Sequence, residues 1–198
     1  MTSSETGSIK FQCDWIQVES IDEKIIIEIN RWRNILFNHK LIGVYPNGIG
    51  YGNISIRLAG KEFLISGTST GHIESLSTSH YSTVVDYDFH RNALTCKGPI
   101  KASAESLTHA AIYEMDQQIQ AVIHIHNKLM WDTLLDKVPT TSPNIEYGTP
   151  QMALEIKRLF NSTDLFAKKV LVMGGHEEGI ISFGENLDEA GNLLLQYL

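Results

Sequence analysis

The 198-residue chain has only two cysteines, Cys13 and Cys96, far apart and outside any C-x-x-C pattern. A chain of this length can build a core without staples, so the scarcity argues against a disulfide framework and points to a reducing compartment, the cytoplasm. Long apolar runs are missing too. The densest, 25–29, is broken by Glu28 and falls far short of a membrane span. Residues 1–10 are polar and lack the apolar stretch of a signal peptide. Positive charge is scarce: 16 Lys and Arg face 23 Asp and Glu, a formal net charge of −7, with no basic run. Nucleic-acid affinity rests on cations at phosphates, so no nucleic acid is expected as partner.

What is present suits one globular domain. Hydrophobic residues make up 42% and charged residues 20%, enough for a core and too apolar for disorder. Residues 1–12 read as a flexible leader and 13–198 as the domain. Ser20-Ile21-Asp22-Glu23 has a capping-box pattern. Ile21, Ile25, Ile29, Trp32 and Leu36 then recur at helical spacing, predicting a helix to about Lys40 that Gly43 ends. Ile54, Ile56 and Leu58 alternate as in a strand, with 62–66 as hairpin partner and 83–87 and 93–96 as further strands. The stretch 103–115 is helical, with Leu107, Ala110, Ala111 and Met115 as its buried stripe. A strand over 121–126, a short helix over 128–135 and a proline-opened helix over 150–160 follow. The stretches 171–173 and 180–183 read as strands around a glycine-rich loop, and 186–198 as a terminal helix. The pattern implies an α/β domain with a mixed or mainly antiparallel sheet.

His124 and His126 sit two apart on a strand, so both imidazoles point to one face while Ile123 and Ile125 point to the other. Buried side by side they would each need a polar partner, and neutral imidazole is a good zinc ligand. Alone, the pair fits a half-exposed strand with two solvated histidines equally well. His176, in Gly174-Gly175-His176-Glu177-Glu178-Gly179, adds a third imidazole between two apolar strands; by itself that segment reads as a polar hairpin tip. Three histidines leave a fourth zinc position open, as catalytic sites do. Glu105 lies at a predicted helix start, where carboxylates are common because they complement the helix dipole. Near zinc, the same carboxylate could coordinate and then swing away to move a proton. His109, one turn on, reads as a core histidine or one behind the ligands. The small-residue stretches 52–55 and 66–71, with Ser103, present hydroxyls and amides that can bind phosphate, although most such loops are turns.

Other H-x-H patterns do not fit. Asn127-Lys128-Leu129 follows His126 where metallo-β-lactamase-like sites carry x-D-H, and no cupin-like glutamate occurs before Glu146. The alpha carbonic anhydrases are longer and richer in strands.

From about Ile25 onward the order of motifs resembles the class II aldolase/adducin family. Gly52-Asn53-Ile54-Ser55-Ile56-Arg57 is similar to its GNxSxR, and Leu64-Ile65-Ser66-Gly67-Thr68 to its phosphate loop. Ser103-Ala104-Glu105 with His109 resembles S-S-E…H, Val122-Ile123-His124-Ile125-His126 the metal strand, and Tyr147-Gly148-Thr149 a later Y/F-G-T. The resemblance implies an antiparallel sheet flanked by helices in three αβα layers. It implies one zinc or similar ion held by His124, His126 and His176, Glu105 as acid/base, and Asn53, Thr68 and Ser103 on a substrate phosphate. The implied reaction is cleavage or formation of a carbon–carbon bond of a ketose, in the first instance a phosphorylated one, through an enediolate, in a homotetramer with sites between subunits. A sugar-phosphate epimerase, a dehydratase or a non-catalytic adducin-like module are the alternatives on this scaffold. Three departures stand out: Ala104 replaces a phosphate-binding serine, the segment 127–146 is short, and Leu198 follows the last helix directly, where the relatives continue into a covering tail.

Overall fold

The computed structural model describes residues 8–19 and 21–198. The chain opens with β1 (Gln12–Gln17) and α1 (Glu23–Asn38), then a small hairpin, β2 (Gly43–Val44) and β3 (Gly50–Tyr51). Four strands follow: β4 (Asn53–Arg57), β5 (Phe63–Ser66), β6 (Tyr81–Asp88) and β7 (Ala93–Gly98). Next come α2 (Ser106–Tyr113), β8 (Ala121–His126), α3 (Lys128–Leu134), α4 (Pro150–Ser162) and the short α5 (Leu165–Lys168). The chain closes with β9 (Val170–Val172), β10 (Gly179–Gly184) and α6 (Leu187–Leu195). Eight strands form one sheet in the order β1-β7-β6-β5-β4-β8-β10-β9. Every pairing in it is antiparallel except β1 with β7 at one edge.

Alternation along β8 sorts the layers. Ala121, Ile123 and Ile125 enter one core with Ile29, Trp32 and Leu36 of α1, Met130 of α3 and Leu194 of α6. Val122 faces a second core built with Leu107 and Ala111 of α2 and Ile156 of α4. Helices thus cover both faces, and the mainly antiparallel αβα architecture expected from the sequence is the one observed. No helix among the described residues is long and apolar enough to cross a membrane.

Local details differ from the sequence reading. The capping box expected at Ser20 lies outside the described residues; Asp22 caps α1, its carboxylate accepting from the Lys24 amide at 2.9 Å. The buried stripe of α1 runs through Ile26, Ile29, Trp32, Arg33 and Leu36, while Ile25 faces solvent. Three consecutive isoleucines left the helical phase ambiguous by one residue. The helix ends before Gly43, with His39 at its cap and Lys40 in left-handed backbone. Strand β1 was not expected, because Gln-Cys-Asp-Trp-Ile-Gln at a sheet edge carries no clean apolar alternation. The expected leader, 1–12, lies outside the described residues up to residue 7; Phe11 is buried and Gln12 already belongs to β1.

Helices α1 and α6 touch where Gly191 meets Trp32, whose indole N–H donates to Asp188 at 2.7 Å. A Cβ on Gly191 would stand 2.1 Å from the indole ring. Gly191→Ala is therefore expected to destabilise the protein by about 1–3 kcal/mol through overpacking, measured by urea unfolding. An unchanged midpoint would contradict this packing.

Candidate functional site

The C-terminal end of β8 meets the loop before β10, the N-terminal end of α2, the start of β4 and the β2–β3 hairpin. The cleft between them has a volume of about 50 Å³ and is lined almost wholly by polar and glycine residues. Asn53, Thr68, Ser103, Ala104, Glu105, His124, His126 and His176, proposed from sequence or noted there, all line it. His109 does not: it is fully buried between α2 and the sheet, with Nδ1 2.7 Å from Ser55 Oγ.

His124 and His126 share one face of β8, as the strand period demands. Each offers one ring nitrogen, as does His176, and the three atoms lie within 4.8 Å of one another. The Nε2 atoms of His126 and His176 are 3.0 Å apart. All three side chains are buried. Gly179 makes this convergence possible, since a Cβ there would stand 2.7 Å from the His176 ring and 3.2 Å from His124 Nε2. His124 Nε2 is buried with no hydrogen-bond partner among the described residues. An orphaned nitrogen in a dry cluster of neutral imidazoles is the donor set a divalent metal needs, so the residues fit such an ion.

Contacts behind the imidazoles define their donors. Asn53 Nδ2 lies 3.3 Å from His124 Nδ1, and Asn53 Oδ1 has no hydrogen-bond partner among the described residues. The two ends of the amide interchange by a half-turn. With Oδ1 at the ring, it accepts from Nδ1–H and leaves Nε2 as a free lone pair. Tyr45 Oη lies 2.8 Å from His126 Nδ1 and also donates to Glu178.

Glu105 occupies the N-cap position of α2 rather than its first turn, at φ −94° and ψ 5°, and its side chain makes no capping hydrogen bond. Its Oε2 accepts from Thr108 Oγ1 at 2.9 Å, while buried Oε1 has no hydrogen-bond partner among the described residues and lies 3.8 Å from His176 Nε2. Burial pushes the carboxyl up to about 7, against the pull of Thr108 and Lys10. Burial also pushes His176 down to about 4 and, together with the neighbouring imidazoles, holds His124 and His126 well below the ordinary value. The Glu105–His176 approach is accordingly a polar contact rather than an ion pair.

Several contributors were not anticipated. Arg33, buried in α1, donates to the carbonyls of Glu74, Thr70 and Gly71, bracing the loop that lines the cleft. A charged residue on a helix's apolar stripe was a legible signal for it. Tyr51 stacks on His126 with ring centroids 5.5 Å apart. Lys10, within the expected leader, sits 4.0 Å above the Tyr147 ring, which is itself 4.7 Å from His176. No local pattern signalled Lys10, because its role depends on where β1 docks.

Comparison with known proteins agrees with this architecture. The family described as Class II Aldolase and Adducin N-terminal domain matches residues 47–197. A curated relative, 3-oxo-tetronate 4-phosphate decarboxylase of Haemophilus influenzae, is 29% identical over 112 residues, 56% of this chain and 49% of the relative. The match thus spans about half of that relative's length. Among solved structures, YgbL of Escherichia coli, titled a putative aldolase/epimerase/decarboxylase, is 18% identical with a TM-score of 0.66, covering 88% of this chain and 84% of that one. The l-fuculose-1-phosphate aldolase of Thermus thermophilus is 20% identical with a TM-score of 0.63, covering 89% and 90%. At these identities the structural likeness establishes the fold alone.

The buried imidazoles make metal-free protein acid-sensitive. The unfolded chain binds protons on His109, His124, His126 and His176 below about pH 6.5. Folded His176 and His109 resist protonation down to about 4 and about 3, respectively. Stability from these groups is present above 6.5 and is lost as pH falls toward those values. Glu105, raised to about 7, acts in the opposite sense, gaining stability as pH falls from there toward its unfolded value. One carboxyl opposes four imidazoles. The melting midpoint of chelator-treated protein is expected to drop by roughly 10 °C between about pH 6.5 and 5. A flat or rising midpoint would show that the imidazoles are not buried as a neutral cluster.

Proposed function

The chain belongs to the class II aldolase and adducin family, and we propose that it is a metal-dependent carbon–carbon lyase acting on a phosphorylated sugar or sugar acid. The observation that carries this reading is the cluster of three buried imidazoles, with ligand atoms within 4.8 Å of one another, beside a buried carboxyl. His124, His126 and His176 would hold one zinc or similar divalent ion. When bound, such an ion supplies a Lewis acid for a substrate oxygen.

The chain's own groups account for the rest. Breaking a carbon–carbon bond next to a carbonyl leaves its electron pair as an enolate or enediolate, whether the departing fragment is an aldehyde or carbon dioxide. That carbon then needs a proton, which Glu105 is placed to deliver. A carboxyl raised to about 7 is in part protonated near neutral pH, as a proton donor requires. Asn53, Thr68 and Ser103 line the same cleft and would bind the substrate phosphate. Retro-aldol cleavage is the first reading. Decarboxylation of a 3-oxo sugar acid is the second, favoured by the 29% identical relative named for that reaction.

Two measurements test the proposal. Protein purified without chelators should contain one divalent ion per chain, and ketose phosphates and 3-oxo acid phosphates should be screened for aldehyde or carbon dioxide release. Glu105→Gln, near-isosteric but unable to exchange the proton, should retain the ion and lose turnover by about 10²-fold or more. Near-normal turnover in that variant would remove Glu105 from the mechanism, and metal-free native protein would remove the centre.

We also propose a homo-oligomer, with the tetramer first. The resemblance supports it, and a neighbouring subunit would exclude water from the mouth of the cleft, which strengthens electrostatic catalysis. Light scattering over a dilution series should give four times the chain mass. A metal-loaded monomer at micromolar concentration would overturn the assembly.

A further inference from the structure

The residue behind His126 fixes more than its position. A phenol carries one proton, and a carboxylate can only accept. Tyr45 Oη is bonded to both Glu178 Oε2 and His126 Nδ1, the latter at 2.8 Å. The phenol proton therefore goes to Glu178, and toward the imidazole the Tyr45 oxygen is left as an acceptor. His126 must then carry its ring proton on Nδ1. Its Nε2, 3.0 Å from His176 Nε2, keeps the lone pair. We propose that Tyr45, backed by Glu178, is a positioning residue that holds His126 as the Nδ1–H tautomer and aims its Nε2 lone pair into the three-histidine centre. As a statement about metal, this rests on the reading given above.

The local sequence builds the device. Tyr45-Pro46-Asn47-Gly48 closes a tight turn, with the Gly48 amide donating to the Tyr45 carbonyl at 2.9 Å and the Tyr45 amide to the Ile49 carbonyl at 2.8 Å. Proline suits the second turn position, and Gly48, at φ +84°, supplies the left-handed step that returns the chain to β3. The hairpin also brings the Tyr51 ring onto His126, with planes 29° apart. Glu178 is set from the other side: its carbonyl accepts from the Asn127 amide at 3.1 Å, directly after His126. Its φ of +70° is a left-handed value uncommon outside glycine. Partners that orient a ligating histidine tune metal affinity as well as geometry.

Nitrogen-15 NMR of histidine-labelled, metal-free protein should place the His126 proton on Nδ1, with Tyr45→Phe raising the Nε2–H population. Competition for a divalent ion against a chromophoric chelator should show Tyr45→Phe weakened about 10–100-fold. Glu178→Gln should lose less, because its amide oxygen can still accept the phenol proton. The melting midpoint of metal-free Tyr45→Phe should match wild type, which separates positioning from a general packing role. An Nε2–H His126 in wild type, or unchanged affinity in Tyr45→Phe, would overturn the proposal. A wild type with the Nδ1–H tautomer that binds no ion would uphold the tautomer assignment and sink the metal reading instead.

Discussion

The site depends on the alternation of a single six-residue strand. In Ala121-Val122-Ile123-His124-Ile125-His126, every second side chain enters the core beneath α1 and α6, which fixes the register of β8. Burying Ile123 and Ile125 is worth about 1.5–3 kcal/mol each, and a one-residue slip would exchange them for the histidines. The hydrophobic effect thus places two imidazoles on the opposite face. There the apolar second core gives way to the cleft-lining loops, and His176 arrives on the strand-to-strand connection alongside. The apolar side of the strand offsets the cost of holding polar rings in a dry place on the other.

That cost has a functional consequence. Neutral imidazoles crowded together with one Nε2 unpartnered are poor for stability and good for ligation. The same burial acts in opposite senses on the two kinds of group present. It holds the imidazoles neutral, as ligands must be, and raises the Glu105 carboxyl toward neutrality, as a proton carrier must be. Under the proposed function, one desolvated cleft would prepare both parts of the chemistry, without a separate device for each.

Legibility in the sequence followed the range of the interactions. The β8 pattern, the small-residue loop at 67–71 and the proline-opened α4 are local, and each appeared where its residues predicted, while α2 begins only at Ser106 rather than at 103, with Glu105 at its N-cap position. The collinear motifs then suggested a shared cleft, which the structure forms from Asn53, Thr68, Ser103, Glu105 and the three histidines. Contributions that depend on docking were not legible. Strand β1 owes its place to parallel pairing with β7, far along the chain, and its own residues are mostly exposed. Lys10 reaches Tyr147 only because β1 lies there. Tyr45 had a readable turn beside it, but that its hydroxyl falls between His126 and Glu178 follows only from how the hairpin docks.

Arg33 shows how the two sides of the sheet communicate. Its guanidinium sits in the α1 layer, almost fully buried, and its oxygen partners are backbone carbonyls of Thr70, Gly71 and Glu74. No carboxylate is among those partners, so its charge is not cancelled at close range. Burial lowers its pKa from the ordinary value, yet a guanidinium keeps its proton under any ordinary condition. The three carbonyls accept from its two terminal nitrogens, which ties down the backbone of a loop rich in glycine, serine and threonine. A cation held in low-dielectric surroundings beneath a cleft wall acts over a longer distance than one on the surface, where water and salt would screen it. The helix that closes the apolar core thereby also braces a loop that lines the cleft with the histidines.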